Sequence, residues 1–310
     1  MSNNINNNTN IDGGTTECKL VSIHSDELKP TDEKDMRCAP TKEFKNGSCI
    51  PLHILVEMAK AYNLDNPKNE IPLSTTHETV NPDKYKRYLV KQFKHKLSGT
   101  CNNQQCWTKQ PFTKRLNERI KEELKNDTLR PKGPATRSTW LNTNDINKVM
   151  DQYKNKYSDF NFLGAVPIDF DELPEYDIKD FDFAKSMKEG KPKLGVIFNT
   201  DPHYKSGQHW IAMYADLNKG ECYFFDSYGM APEEEVRTLM KRIANFIKKD
   251  LGKKPIMDHN RMQHQKLDHD CGVYSIAFIL RLLRGESFEI FNQTRIPDKE
   301  INECRQFYFT

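Results

Sequence analysis

Cys271 stands where a thiol is most easily made reactive. It follows a polar loop and begins the apolar segment CGVYSIAFILRLLRG (271–285), which is predicted to be a buried helix ended by Gly285, although its β-branched residues leave a strand possible. A helix N-terminus offers unpaired N–H groups and partial positive charge, and both favour the nucleophilic thiolate. Gly272 is expected to leave room beside the thiol for a substrate backbone. The pattern predicts nucleophilic chemistry at Cys271.

A cysteine nucleophile needs an imidazole as its base and a group that orients the imidazole. His209 and Asp226 lie in two aromatic and aliphatic runs that flank a turn at 218–220, a pattern typical of a β-hairpin. With a loop of two or four residues, the register places both side chains on one face, one diagonal step apart. A three-residue loop would place them on opposite faces, so this prediction depends on the register.

Gln265 is the candidate for stabilising the oxyanion. It lies six residues before Cys271, on the loop that would pass the active site. A side-chain amide together with backbone N–H groups suffices for this task, and loss of one such donor typically slows a reaction by about 100 to 1000-fold.

Helical and strand patterns divide the chain into parts that can position these residues. Helices are predicted at 52–64, 84–97, 112–124, 140–157 and 233–251, and a short buried strand at 194–200. The segment KNDTLRPKGPATRST (125–139) contains two prolines and a glycine and almost no apolar residue, which indicates a domain boundary. We therefore expect a disordered tail at 1–17, a mainly helical basic domain at 18–130 and a catalytic domain at 131–310.

Composition excludes a disordered chain and a membrane protein. Of the 310 residues, 36% are hydrophobic and 29% are charged, a mixture that can still fold around a modest core. No run approaches the ~18 apolar residues of a membrane span, and the Asn-rich start does not resemble a signal peptide. An intracellular location is expected, in which most of the eight scattered cysteines would be thiols.

Charge is distributed unevenly along the chain. The net charge is +3, but 84–137 contains fifteen Lys or Arg and four Asp or Glu, a local +11 that leaves −8 for the remainder. Such a region could bind nucleic acid or an acidic partner, and the alternative is a set of solvated helix faces.

The cysteine pair at 101 and 106 has a spacing that also occurs in zinc sites. No second close pair accompanies Cys101 and Cys106, and His259, His264 and His269 form no ligand pair with a second cysteine. We therefore expect neither a metal nor a cofactor.

Several separated motifs together resemble one family. In chain order, the chain has Trp140-Leu141-Asn142, His209-Trp210, Asp226 within FFDSYG, and Gln265 separated by five residues from Cys271-Gly272. This order resembles the ubiquitin-like-protein-specific (SUMO-protease-type) and adenovirus-protease-like cysteine peptidases.

The resemblance implies an α+β papain-like fold with a mainly helical N-terminal extension. It also implies hydrolysis of a peptide or isopeptide bond after a small residue, typically in Gly-Gly. Cys271 would be the nucleophile, His209 the base, Asp226 the orienting group and Gln265 the oxyanion donor. Trp210 would line the narrow channel that admits glycine.

The N-terminal region resembles a narrower group. The segments CAP (38–40), GSCIPL (47–52) and MAKAYN (58–63) resemble the extra N-terminal region of thiol proteases from large DNA viruses of poxvirus and asfarvirus type. This resemblance implies cleavage of viral core or capsid precursors at Gly-Gly-Xaa or Ala-Gly-Xaa sites, in a cytoplasmic viral factory or the virion.

Three alternatives remain open at the level of sequence. A deconjugating protease for SUMO, ubiquitin or a related modifier would use the same residues, with the basic region as an exosite. An effector acetyltransferase would use Cys271 to carry an acyl group to a lysine or serine. A non-enzymatic nucleic-acid-binding scaffold would use only the basic region, and it would have no need of all four candidate site residues.

Overall fold

The protein was analysed as a computed structural model, which describes residues 37–74 and 80–310. The predicted tail at 1–17 and the first residues of the predicted N-terminal domain lie outside the described residues. Within the described part, no helix is both long and apolar enough to cross a lipid bilayer.

The described part of the chain before residue 130 is mainly helical, as the sequence predicted. Its described α-helices are α1 (Leu52–Asp65), α2 (Pro82–Lys96), α3 (Gln104–Trp107) and α4 (Glu118–Asn126). They pack around a separate cluster of buried residues that includes Leu55, Phe93 and Trp107. This cluster gives the N-terminal helices a core of their own, although the exact domain boundary near residue 130 stays a prediction.

The prediction of a single helix at 112–124 is wrong. The chain forms a 3-10 helix at Pro111–Arg115, becomes extended at Leu116 and then begins α4. Asn117 explains the break, because its side chain accepts a hydrogen bond from the N–H of Ile120 and so caps a new helix. An Asn side chain that bonds nearby backbone favours caps over helix interiors.

A five-stranded mixed sheet forms the centre of the region after residue 140. Its strands are β1 (Phe160–Pro167), β2 (Lys193–Asn199), β3 (Trp210–Asp216), β4 (Glu221–Phe225) and β5 (Ile256–His259), in that spatial order. The outer pairs β1–β2 and β4–β5 are parallel, and the inner pairs β2–β3 and β3–β4 are antiparallel.

Helices cover both faces of the sheet. They are α5 (Thr143–Lys156), α6 (Phe183–Lys188), α7 (Glu234–Lys249), α8 (Cys271–Leu283) and the short C-terminal helices α9 (Ile290–Gln293), α10 (Asp298–Glu303) and α11 (Arg305–Tyr308). One face packs against α5 and α8 around residues such as Tyr153 and Phe278, and the other packs against α7 around Met213 and Ile243. The expectation of an α+β fold is confirmed.

The expectation that most cysteines are thiols is wrong for the described residues. Cys38 is bonded to Cys49 and Cys101 to Cys106, with Cα–Cα distances of 5.2 and 5.4 Å, and Cys304 is disulfide-bonded as well. Such Cα distances suit a disulfide, but sequence spacing does not reveal them. The remaining described cysteines are free and buried, and they are Cys222 in β4 and Cys271 at the start of α8.

Candidate active site

The hairpin β3–β4 brings His209 and Asp226 together. The paired residues run from Asp216 opposite Glu221 to Ala212 opposite Phe225, which leaves a four-residue loop at 217–220. This is one of the two loop lengths that put both side chains on the same face. His209 directly precedes β3 and Asp226 directly follows β4, and His209 Nε2 lies 2.6 Å from Asp226 Oδ1.

Cys271 reaches this pair because α8 packs across β3 and begins at the thiol. The side chain of Cys271 lies close enough to the imidazole of His209 to raise its pKa. Because Nε2 faces Asp226, Nδ1 is the ring nitrogen left for the sulfur. Cys271 is only 2% exposed, so the three groups lie in a narrow, largely water-excluded site.

The surroundings of His209 favour its protonated form. Burial lowers the pKa of His209, but the hydrogen bond with Asp226, the interaction with Cys271 and the negative charge of Asp226 outweigh burial and raise this pKa from 6.5 to about 9. At neutral pH the imidazole therefore holds a proton. A positive ring beside the sulfur stabilises a thiolate, and its proton is available to a leaving group.

Asp226 is held by residues that the sequence analysis did not identify. The buried amide of Asn260 accepts from the N–H of Asp226 at 2.9 Å and donates to its carbonyl oxygen at 2.7 Å. The N–H of Tyr228 donates to Asp226 Oδ1 at 2.9 Å, and the Tyr228 ring stacks on His209 with centroids 4.7 Å apart. An Asp that binds the N–H two residues later is a known turn pattern, so Asp226 and Tyr228 within FFDSYG carried a usable signal. Nothing in the spacing pointed to Asn260.

Gln265 is fully buried in the loop before α8. Its Oε1 accepts from the Ser227 hydroxyl at 2.7 Å, and its backbone N–H donates to the Ser227 carbonyl at 2.9 Å. Its Nε2 donates to the carbonyl oxygen of Leu267 and lies 3.5 Å from the Tyr228 hydroxyl. One N–H of the Gln265 side-chain amide is thus used inside the loop. That its second N–H stabilises an oxyanion stays a prediction.

Trp210 and Gly272 form a packed wall beside the thiol. Trp210 is buried and its Nε1 donates to the Leu141 carbonyl at 2.8 Å. A Cβ atom on Gly272 would lie 3.1 Å from Leu141 Cβ and 3.3 Å from Trp210 Cδ1. The space that Gly272 leaves is therefore filled by Leu141 and Trp210, and substrate contacts of Trp210 and Gly272 stay predictions.

The residue before Cys271 anchors the start of α8. Asp270 is fully buried, and its Oδ1 accepts from Arg305 Nε at 3.0 Å and from Asn302 Nδ2 at 3.0 Å. Arg305 Nη1 also donates to the Thr139 carbonyl at 2.8 Å, next to Trp140. A buried carboxylate without a partner is costly, so Arg305 holds the start of α8 and the segment before Trp140 in one arrangement.

His264, which precedes Cys271 in the loop before α8, is held by two backbone groups. His264 is buried, with Nε2 2.8 Å from the Phe291 carbonyl and Nδ1 accepting from the N–H of Ile296 at 3.1 Å. Burial lowers the pKa of His264, against the opposing effect of the Phe291 carbonyl. Among residues 37–74 and 80–310, no group of three or more His, Cys, Asp or Glu is arranged to hold a metal ion.

Comparison with known proteins identifies the family to which this chain is similar. The model of the Ulp1 protease family, C-terminal catalytic domain, matches residues 176–310. A candidate thiol protease of Acanthamoeba polyphaga mimivirus is 36% identical over 279 residues, which are 88% of this chain and 92% of the viral protein. A SUMO-1 cysteine protease of African swine fever virus (isolate Pig/Kenya) is 25% identical over 255 residues, 76% of this chain and 92% of the viral protein.

The fold is also similar to a solved structure. The crystal structure of an African swine fever virus protease superposes with a TM-score of 0.60 at 24% identity, covering 73% of this chain and 90% of that protease. The similarity extends the α+β assignment to the peptidase fold that the sequence motifs implied.

Proposed function

Because this chain belongs to the Ulp1 protease family and is a cysteine peptidase, we propose that it cleaves proteins after glycine with Cys271 as its nucleophile. His209 is the base and acid, and Asp226 orients its ring. Gln265 and the first N–H groups of α8 stabilise the oxyanion. The 2.6 Å contact between His209 and Asp226, together with the interaction of Cys271 with His209, supports these roles.

The proposed reaction proceeds in two steps. The Cys271 thiolate attacks the carbonyl carbon of the scissile bond, and the carbonyl electron pair moves to the oxygen. As the oxyanion collapses, the C–N bond breaks and His209 gives its proton to the departing nitrogen, leaving a thioester. His209 then takes a proton from water as the oxygen attacks the thioester, and the C–S bond breaks to release the acid and the thiolate.

The narrowness of the site supports a preference for glycine. Cys271 is 2% exposed, and the adjacent Gly272 packs against a wall formed by Trp210 and Leu141. A residue with a side chain on the carbonyl side of the scissile bond would meet this wall, whereas glycine lets the carbonyl carbon reach the sulfur. This restriction supports cleavage at Gly-Gly-Xaa or Ala-Gly-Xaa sites.

Viral structural precursors are the proposed substrates. The family model begins at residue 176, but the similarity to the mimivirus protein covers 88% of the chain and so reaches into the N-terminal helices. A region shared among thiol proteases of large DNA viruses favours a shared use, and a viral core or capsid precursor is the substrate that we propose, with a viral factory or virion as the location.

Deconjugation of SUMO or a related modifier is the second candidate. It is favoured by the relative from African swine fever virus that is named a SUMO-1 cysteine protease. Both candidates require a Gly-terminated acyl group, and they differ in the group that is joined to the glycine carbonyl. The comparisons support neither the acetyltransferase nor the non-enzymatic scaffold.

One experiment separates the two candidates. The protein and its Cys271→Ala variant are incubated with viral structural precursors that contain Gly-Gly-Xaa or Ala-Gly-Xaa sites, and separately with SUMO and ubiquitin conjugates. New termini are identified by peptide sequencing. Cuts after glycine inside the precursors support the first candidate, and release of the modifier alone supports the second. Cuts that persist in Cys271→Ala would contradict the role of Cys271.

A nucleic-acid partner for 84–137 is a separate proposal. Two of its cations, Arg115 and Lys121, pair with Asp65 and Glu118, as residues of a solvated helix face do. If phosphates are bound there, affinity for DNA or RNA should fall steeply with salt, because bound counterions are released. An affinity that does not change with salt would leave the solvated-face interpretation.

A further inference from the structure

A basic cleft of about 860 Å³ lies where the N-terminal helices meet the catalytic region. Its lining residues come from the segment around α4, from 129–132 and from the outer face of α5. They include eight Lys or Arg and three Asp or Glu, a net charge of +5. The cleft is remote in sequence from His209 and Cys271, and none of the proposed catalytic side chains lines it.

Most of these cations have no acidic partner. Lys121 and Lys154 pair with Glu118 and Asp151 of their own helices. The other cations of the cleft form no ion pair with any residue in the described ranges: Lys109, Lys114, Lys125, Arg130, Lys132 and Lys148. A concave surface with this much uncompensated positive charge attracts anions.

Arg130 supplies an independent observation. Its side chain is only 6% exposed, its guanidinium lies 5.3 Å from the centre of the Tyr153 ring, and Nη1 has no hydrogen-bond partner among the described residues. A buried charged donor without an acceptor costs free energy. Arg130 lines the cleft, so an anion bound there would offset the charge of the buried guanidinium, and the planar fork of arginine matches phosphate oxygens particularly well.

We infer that this cleft binds a compact molecule with clustered phosphate groups. Its volume lies within the range of small-ligand sites, roughly 300–1000 Å³, which favours a compact ligand over a nucleic acid strand. Inorganic polyphosphate and a nucleoside triphosphate share this chemistry. Either one would contact the N-terminal helices and α5 at once and would tie these two parts of the protein together.

Thermal unfolding of the full chain with increasing tripolyphosphate, and separately with ATP, tests the inference. The cleft variant is Lys125→Gln/Lys132→Gln/Lys148→Gln. The matched control is Lys248→Gln/Lys249→Gln/Lys254→Gln, which removes the same charge from exposed positions outside the cleft. We expect tripolyphosphate to raise the melting temperature of the wild type and the control equally, and to bind the cleft variant about tenfold or more weakly.

Two further comparisons test the role of Arg130 and the identity of the bound phosphate compound. Arg130→Lys keeps the charge but loses the planar fork, so tripolyphosphate should raise its melting temperature less than it raises that of the wild type, each measured against the same protein without ligand. ATP that binds as tightly as tripolyphosphate supports a nucleotide source, and weaker ATP binding supports the inorganic one. An equal response of cleft and control variants would overturn the inference. So would single-stranded DNA that binds through the cleft lysines while tripolyphosphate has no effect.

Discussion

Replacing Asp226 by asparagine should move the alkaline limit of activity to lower pH. Burial lowers the pKa of His209, but its partners raise it from 6.5 to about 9. A pKa difference of this size corresponds to about 3 kcal/mol in favour of the protonated ring. The side chains of His209 and Asp226 are only 15% and 6% exposed, so solvent screens their interaction weakly. The hydrogen bond with Asp226 is the largest raising contribution, and we expect Asp226→Asn to lower the pKa of His209 by more than one unit.

The assay is the pH dependence of kcat/KM for a peptide that ends in Gly-Gly joined to a fluorescent amine. Wild-type activity should decline near pH 9, because His209 then loses the proton that the leaving amine requires. In Asp226→Asn the decline should begin more than one pH unit lower. Alkaline limbs at the same pH in both proteins would refute the assignment of Asp226 as the group that raises this pKa.

Asp216→Asn is the matched control for this experiment. Asp216 is also buried but lies at the far end of β3, where it accepts a hydrogen bond from the N–H of Lys219, so its removal should leave the alkaline limb in place.

The pH dependence of the free energy of unfolding gives a second measurement of the same interaction. Because the pKa of His209 is higher in the folded than in the unfolded protein, protonation of His209 stabilises the fold. This stabilisation is complete below pH 6.5 and is lost as the pH rises through about 9. In urea unfolding, the gap between wild type and Asp226→Asn should therefore narrow over that interval.

Three further outcomes are expected. Cys271→Ala should abolish turnover and leave the melting temperature nearly unchanged, because a methyl group replaces a thiol; residual peptidase activity would contradict the role of the thiol. Asn260→Ala should lower kcat at least tenfold and cost about 1–3 kcal/mol in urea unfolding, because it leaves the buried N–H of Asp226 without a hydrogen-bond partner, whereas the Asp226 carbonyl keeps the N–H of Gly229; full activity would show that Asp226 needs no such support. Cys38→Ser/Cys49→Ser should cost about 3 kcal/mol in the same measurement, since the disulfide closes a loop with a sequence separation of 11; unchanged stability would mean that this disulfide does not constrain the unfolded chain.

The sequence predicted most of the elements that carry the candidate site. The hairpin was predictable because two aromatic and aliphatic runs and the Gly-containing turn between them act locally, and its register followed once the loop length was known. The start of α8 at Cys271 was predictable because a polar loop changes abruptly to an apolar helix.

The features that the sequence could not predict depend on distant partners. The strands β1 and β5 were missed, since each is an edge strand that pairs in parallel with a strand from another part of the chain. Asn260 was missed because its bonds to Asp226 span 34 residues. The disulfides were missed because Cα distances of 5.2 and 5.4 Å arise from the packing of the helices and not from spacing.

The link between Asp270 and Arg305 has a consequence for when activity can appear during protein synthesis. Arg305 lies 34 residues after Cys271, and until it is translated the buried carboxylate beside the nucleophile has no guanidinium to neutralise it. The hairpin with His209 and Asp226 can form much earlier, because its contacts are local. A nascent chain would thus carry the proposed base and its orienting group before it could hold the Cys271 thiol in place, so that peptidase activity is expected only after Arg305 has been added and can reach Asp270.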